Sequence, residues 1–432
     1  SITQEVSLSR PPFEQERRQR GRAQIHDVIA LVLLAVLVAP LFAIIAAGAL
    51  IGFAGSDIDL MVVTMEIFRV SEIPVLIAIP LFTFAGYLLG ESQAPRRLVR
   101  VTNVLLGWMP GGLAVVALFV CALFTAFTGA SGVTIIAMGA LLYPAIATAG
   151  YREHFNLGLI TTSGSLGLLF APSLPLILYG IIAEQSVDDL FVAGILPGLL
   201  MLLLLSLYCI REGGVVRAEL TKQPFDRREL VAALRESIWE IPLPIIVLGG
   251  VYSGFFAVSE AAAVTVVYVF TVEVLINRDI PLGRLPGVMR DSMILVGGIL
   301  IILGVSLAST NYMIDEQVPM RLFEWVTSHI SSKLSFLILL TLFLLMLGMM
   351  LDIFSALVIV VPLILPIAAG YGIDPIHLGM IFLANMQIGY CTPPVGMNLF
   401  IASYRFDKPI VLLYRAALPF LAILLVAVLI IT

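Results

Sequence analysis

Charge is scarce in this chain: Asp, Glu, Lys and Arg make up only 12% of its 432 residues, against roughly 25% in a soluble domain. Cysteine is nearly absent. Cys121, Cys209 and Cys391 lie far apart in apolar sequence, which argues against a disulfide framework or a cysteine zinc site and leaves them as small buried hydrophobes. The four histidines, His26, His154, His329 and His377, are scattered, and none stands beside a second good metal ligand. There is no long basic stretch with interleaved aromatics, so no nucleic acid partner is expected. Nor is there a His-rich, paired-aspartate or serine–lysine constellation at membrane depth, so no catalytic residue is assigned and an intramembrane enzyme is disfavoured.

What fills the chain instead is hydrocarbon: 60% of the residues are hydrophobic and the mean hydropathy is +1.07. A bilayer-spanning helix needs about 20 mostly apolar residues. The runs at 29–50, 75–89, 111–127 and 420–432 read as such helices, with others near 190–210, 241–258, 259–277, 291–309 and 335–351. A β-barrel would alternate apolar and polar residues, and these segments do not. The N-terminal stretch is basic from Arg10 through Arg22 and runs into an apolar segment too long for a cleavable signal, so it is expected to be a cytoplasmic arm.

Arginine and lysine gather before residue 23, around Arg96, Arg97 and Arg100, from Arg211 to Arg235, and from Arg278 to Arg290. The positive-inside rule makes these cytoplasmic. The stretch 211–236 is taken as a linker between two halves that resemble each other. Gly158 to Gly379 and Pro172 to Pro393 share an offset of 221, while Pro144 to Pro366 and Pro197 to Pro419 are displaced by 222. Counting passes places the helices preceding the two repeats in opposite directions, so the repeats are predicted to be inverted. Inverted repeats mark transporters that expose one central site alternately to either side.

Four segments carry polar and helix-breaking residues at membrane depth. The stretches 127–146 and 348–367 are read as re-entrant hairpins, because their pieces look too short to cross alone. The stretches 161–180 and 385–404 hold Pro172 and Pro175, and Pro393, Pro394 and Gly396, and are read as unwound helices. Proline removes a donor and frees a carbonyl one turn earlier. In hydrocarbon such groups need partners, and unwound backbone offers oxygens to a hard cation while half-helix N-termini offer positive dipole ends to an anion. A single proline, such as Pro80 or Pro242, is read as a simple kink. Asp352 lies between apolar runs, where a lone carboxylate is costly, and a cation ligand is the economical role. Glu260 reads as a helix-capping or packing residue, and His377 as lying at the start of a helix.

Taken together, these features resemble the large membrane subunit of the tripartite ATP-independent periplasmic (TRAP) transporters, the DctM-like family. The residues carrying the resemblance are IPLFTFAGYLL (79–89), GWMPGGLA (107–114), FTGASG (127–132), FAPSLPLILYG (170–180), LFVAGILPGLL (190–200), GGVYSGFFAVSEAAAV (249–264), LGMMLDIFSALVIVVPLILPIA (347–368), GIDPIHLGMIFLANMQIGYCTPPVGMNLFIAS (372–403) and RAALPFL (415–421). Two places depart from the family pattern. Gly129–Ala130–Ser131–Gly132 stands where relatives often alternate Ser-Gly-Ser, and the arm ERRQRGR at 16–22 has no counterpart.

The resemblance implies an all-α polytopic membrane protein, an inverted-repeat elevator-type transporter with two re-entrant hairpins and two broken helices. The chain divides accordingly into a basic arm (1–27), scaffold helices (28–107), a first transport repeat (108–210), the linker (211–236), further scaffold (237–334), and a second transport repeat with the last helix (335–432). The implied function is sodium-coupled symport of a small carboxylate-bearing organic acid across the bacterial inner membrane. The absence of a Walker motif agrees with a gradient rather than ATP as the energy source. Implied partners are a small DctQ-like membrane subunit, expected as a separate chain, a DctP-like periplasmic binding protein, and the lipid bilayer, with no cofactor beyond the coupling Na+. Sodium is expected at Gly129, Ser131, Pro172, Asp352, Ser355, Thr392, Pro393 and Pro394, and substrate at Ser163, Ser173, Gly396 and Asn398. A binding-protein-independent anion or dicarboxylate permease of related architecture is the second reading.

Overall fold

The computed structural model describes residues 40–56, 58–106, 108–109, 111–216 and 226–432, and the expected N-terminal arm lies outside them. Among the described residues there is no strand. In order, the helices are α1 (Leu41–Gly55), α2 (Met61–Val70), α3 (Ala78–Glu91), α4 (Ala94–Leu106), α5 (Gly112–Thr128), α6 (Ser131–Thr148), α7 (Glu153–Ser163), α8 (Leu174–Ile182), α9 (Val187–Val216) and α10 (Arg227–Glu236). There follow α11 (Pro242–Tyr252), α12 (Val258–Phe270, continued as a π-turn to Ile276), α13 (Leu285–Asp315), α14 (Val318–His329), α15 (Lys333–Met350), α16 (Ile353–Gly370), α17 (Pro375–Gly389), α18 (Met397–Phe406) and α19 (Ile410–Ile431). Eight helical segments among the described residues are long and apolar enough to cross a bilayer. Most of their outward side chains are apolar, as lipid-facing surface requires.

The chain forms two compact units. The smaller comprises the residues up to Glu72 and Leu300–Glu316. Its core joins Ala49, Phe53, Val63 and Ala308, with Tyr312 edge-on to Phe53 at 5.5 Å. Gly52 is required there, because a side chain would collide with the Tyr312 ring. The larger unit, Ile73–Ile299 and Gln317–Thr432, holds everything described below.

Within the larger unit the helix ends repeat in register. The helices α6 and α16 are both 18 residues long, and their starts are displaced by 353 − 131 = 222. The N-caps of α7 and α17, Arg152 and Asp374, are displaced by 374 − 152 = 222 as well. The offset at these two helix pairs corrects the 221 read from the sequence for the first break: Pro172 pairs with Pro394 rather than Pro393. The contacts obey the same relation. Helix α6 packs against α18 and α16 against α8, while α7 packs against α19 and α17 against α9. At the centre, Ser165 and Gln387, themselves 222 apart, touch: Ser165 Oγ donates to the Gln387 carbonyl at 3.2 Å.

The hairpin pieces are not too short, contrary to the sequence expectation. The breaks fall at Gly129–Ala130 and Leu351–Asp352, near one end of each stretch, so α6 and α16 extend a full 18 residues, about 27 Å. The unwound helices are as expected. Residues Glu153–Leu169 and Leu174–Ile182 meet at 43° across the first break, and the chain leaves helix between Gly389 and Met397 at the second. Peptides Ala171–Pro172 and Pro393–Pro394 are cis. Pro242 is not a kink but the first residue of α11, where its missing N–H costs nothing. Glu260 caps α12, accepting from the Ala257 N–H at 3.0 Å, and His377 stands in the first turn of α17.

The first break is clasped by backbone on two sides. A side chain on Gly167 would run into the Ala122 carbonyl of α5, and one on Gly194 into the Leu169 carbonyl. Glycine alone lets α5 and α9 approach this closely.

Candidate functional site

Both hairpin tips converge on the second break, Tyr390–Gly396. From the first tip, Ser131 opens α6, and its Oγ donates to Asn398 Oδ1 at 2.7 Å. Both residues are buried, and Asn398 belongs to the first turn of α18. The Asn398 amide reaches the Thr161 carbonyl at 3.5 Å and Cys391 Sγ at 3.6 Å, tying the pair to α7. From the second tip, the Ile353 N–H donates to the Tyr390 hydroxyl. Tyr390 and Asn398 are joined in turn, through the Asn398 N–H and the Tyr390 carbonyl at 3.0 Å. Residues 390–398 are thus held at one end by hairpin 2 and at the other by hairpin 1.

Asp352 is the N-cap of α16. Its Oδ1 accepts from the Phe354 and Ser355 N–H groups, each at 3.0 Å, and Ser355 Oγ donates to Oδ2. The carboxylate is half-buried rather than sealed. Its local reason is ordinary: an aspartate at this position meets two donors that have no partner within the helix. Its membrane setting is the unusual part.

The other three helix starts around the breaks have no side-chain cap: α6 after Ala130, α8 after Ser173, and α18 after Gly396. Such ends carry the positive pole of the helix dipole and favour an anion. Two of them, α6 and α18, meet at the Ser131–Asn398 bond. Among the described residues Arg97 is the buried basic side chain, and it is committed elsewhere. A carboxylate at this site must therefore be held by helix ends, amides and hydroxyls. One side of the second break suits an anion, and the side bearing Asp352 suits a cation.

The predicted residues divide along these lines. Ser131, read as an ion ligand, is joined to Asn398, read as a substrate ligand. Asp352 and Ser355 lie together at the second tip. Thr392, Pro393, Pro394 and Gly396 form the break itself, where Thr392 Oγ1 donates to the Ile388 carbonyl at 2.9 Å and the Gly396 N–H to the Thr392 carbonyl at 3.2 Å. The Pro394 carbonyl accepts from the Tyr414 hydroxyl. Pro394 is exposed. The first break differs: Pro172, Ser163 and Ser173 are all buried. Ser173 Oγ donates to Leu168 O at 2.7 Å and Ser163 Oγ to Ile160 O at 3.3 Å, so both hydroxyls are spent inside their own repeat. Gly129 has φ +65° at the first tip, and a side chain there would meet Leu174 of α8.

Tyr390 was missed by the sequence reading. The signal was a hydroxyl-bearing aromatic two residues before Thr392–Pro393–Pro394, but nothing local says that it reaches the second hairpin.

The Ser131–Asn398 link gives a direct check. Ser131→Ala leaves a buried amide oxygen without its donor, an expected loss of about 1–3 kcal/mol. A double-mutant cycle with Asn398→Ala, read by thermal unfolding in detergent, is expected to return a coupling of about 1 kcal/mol.

A family model described as "Tripartite ATP-independent periplasmic transporter, DctM component" matches residues 26–432. The C4-dicarboxylate TRAP transporter large permease protein DctM of Pseudomonas aeruginosa is 37% identical over 374 residues, covering 85% of this chain and 86% of that protein. The ectoine TRAP transporter large permease protein TeaC of Halomonas elongata is 30% identical over 352 residues, covering 82% of each. The isethionate TRAP transporter permease protein DctMQ of Oleidesulfovibrio alaskensis is 32% identical over 363 residues, 83% of this chain but 56% of that longer protein. Among solved structures, the YdaH transporter of Alcanivorax borkumensis superposes with a TM-score of 0.57 at 14% identity, over 85% of this chain and 86% of that one, a likeness of fold.

Proposed function

Given that the chain belongs to the DctM family, the large-permease component of tripartite ATP-independent periplasmic transporters, we propose that it moves a small carboxylate-bearing organic acid inward across the inner membrane by sodium symport. A periplasmic binding protein delivers the acid, and a small membrane subunit completes the assembly. The relatives named for C4-dicarboxylates, isethionate and ectoine all handle small charged organic solutes, and a carboxylate fits the bare starts of α6 and α18.

The observation that carries the reading is the joining of both hairpin tips to one unwound segment, 390–398. An acid bound at Ser131 and Asn398 and a sodium ion held by Asp352, Ser355 and the carbonyls near Thr392 would share that segment, so each would favour the geometry the other needs. Shared preference of this kind is what coupling requires: two ligands linked through one conformational equilibrium. The elevator motion of the repeats against the scaffold belongs to the same proposal, because it carries the occupied segment across without unfolding it.

The test is uptake into proteoliposomes holding the large and small subunits, with the binding protein outside. Uptake is expected only with an inward sodium gradient and only with binding protein present. Equal uptake by the large subunit alone would favour the binding-protein-independent permease, and uptake indifferent to sodium would refute the coupling. Asn398→Ala is expected to raise the half-saturating substrate concentration about tenfold, as loss of one buried hydrogen bond of about 1.4 kcal/mol implies.

A further inference from the structure

Away from the breaks, one buried cluster of charge takes no part in the transport reading. Arg97 of α4 is surrounded by three carboxyls: its Nε lies 2.5 Å from Glu240, and its Nη2 lies 2.9 Å from Glu273 and 2.8 Å from Asp279. The four side chains are 10%, 3%, 1% and 12% exposed. They come from four places: α4, the junction of α10 and α11, the π-turn that ends α12, and the loop before α13. Asp279 Oδ2 also accepts from the Gln93 N–H at 2.9 Å, latching that loop onto the start of α4.

The charges do not balance. A guanidinium stays protonated, so three ionised carboxyls would leave this buried group at −2. Two independent details show where the imbalance falls. Glu273 Oε2 and Asp279 Oδ2 both sit on the same guanidinium nitrogen, Arg97 Nη2, at 2.9 and 2.8 Å, and one nitrogen facing two buried carboxyls leaves negative charge that a proton would offset. The second oxygen of Glu240 is buried without a partner, and Glu240 lines a cavity of about 20 Å³ whose other walls are apolar, among them Leu98, Phe124 and Phe127. No polar wall is there to hold a screening water. No group of three acidic or other ligating residues among those described converges on a point that suits a metal ion. We propose that Arg97, Glu240, Glu273 and Asp279 form a proton-binding site, with one proton shared by Glu273 and Asp279, and that its release frees the loop 277–281 from α4.

The neighbouring groups are consistent with a site that answers to one proton. Arg100, one turn beyond Arg97, is taken up by Glu229 and Glu236 of α10. Glu91 of α3 faces Arg284. Tyr268 of α12 donates its hydroxyl to the Trp239 carbonyl, and Arg278 beside Asp279 is exposed on the loop. None of them reaches the Glu273–Asp279 pair with a second positive charge. Burial pushes the Glu240 carboxyl above its usual range and Arg97 draws it back, so the cluster as a whole resists further negative charge. When the proton leaves, two carboxylates compete for one guanidinium nitrogen. Asp279, the most exposed of the four and on a loop, is the one that moves. The sign follows: the joint is closed while the cluster holds the proton and opens as pH rises and the proton leaves. The arginine count places this flank in the cytoplasm, so internal pH is the variable sensed. This device stands apart from the transport site and does not depend on what is carried.

Hydrogen exchange of the full-length chain in lipid nanodiscs tests it. After correction for intrinsic pH dependence, exchange at Gln93 and residues 277–280 is expected to rise about tenfold per pH unit above the midpoint, the slope for one released proton, while α5 and α15 stay flat. Glu273→Gln, which imitates the protonated form, and Asp279→Asn are both expected to flatten the profile. A flat profile in the unaltered chain overturns the proposal, as does an unchanged slope in both variants. Protection that follows sodium or potassium at constant pH also overturns it, by assigning the cluster to a metal cation.

Discussion

Replacing Asp352 by asparagine is expected to cut sodium-driven uptake by about ten- to a hundredfold, the loss of one charge-assisted contact of 1.5–3 kcal/mol, while leaving the melting temperature nearly unchanged. Asp352 has one role in the structure and one in the proposal. As the N-cap of α16 it accepts from the Phe354 and Ser355 N–H groups, and asparagine caps about as well as aspartate. In the proposed role of cation ligand it would supply a full negative charge, which asparagine lacks. Alanine removes both, so Asp352→Ala is expected to show the same transport loss with an additional ~1 kcal/mol of destabilisation. Uptake in proteoliposomes across a sodium series, paired with thermal unfolding with and without sodium, reads the two effects separately. Full sodium dependence in the asparagine variant with loss only in the alanine variant would reduce Asp352 to a structural cap.

The second large effect concerns the first break. Gly167→Val and Gly194→Val each place a branched side chain against a backbone carbonyl, of Ala122 and Leu169 respectively. Backbone cannot rotate aside as a side chain can, so either α5 or α9 must shift. The expected cost is at the upper end of overpacking, about 3 kcal/mol or more for each. Poor yield of folded protein and a melting transition lowered by several degrees would register it. Gly214→Val is the control, because nothing lies within 4 Å of a side chain at that position. Equal behaviour of all three would mean that the clasp around the first break has slack.

The parts legible in the sequence were those written in local chemistry. Helix breaks are announced by proline and glycine, and both unwound segments were found from them. The register between halves was half right because Thr392–Pro393–Pro394 contains two prolines, and the sequence offers no way to choose between them; the ends of α6 and α16 do. The hairpin arms were judged too short because the counted stretches began near the breaks instead of after them. Long-range pairing was out of reach. Ser131 and Asn398 are 267 residues apart, so their different predicted duties met only in three dimensions. The cluster at Arg97 left one trace that went unread: Glu273 is a carboxylate inside the apolar run TVEVLI, and such a residue asks for a buried partner.

The exchange of partners between the halves, α6 with α18 and α16 with α8, bears on how the protein is made. Residues 1–216 released alone from a ribosome would leave α6 without α18 and α8 without α16, and the mirror-image gaps would remain in residues 226–432. Synthesis must therefore run nearly to completion before either bent helix can be seated. By contrast, fragments 1–216 and 226–432 made together are expected to associate through these exchanged contacts.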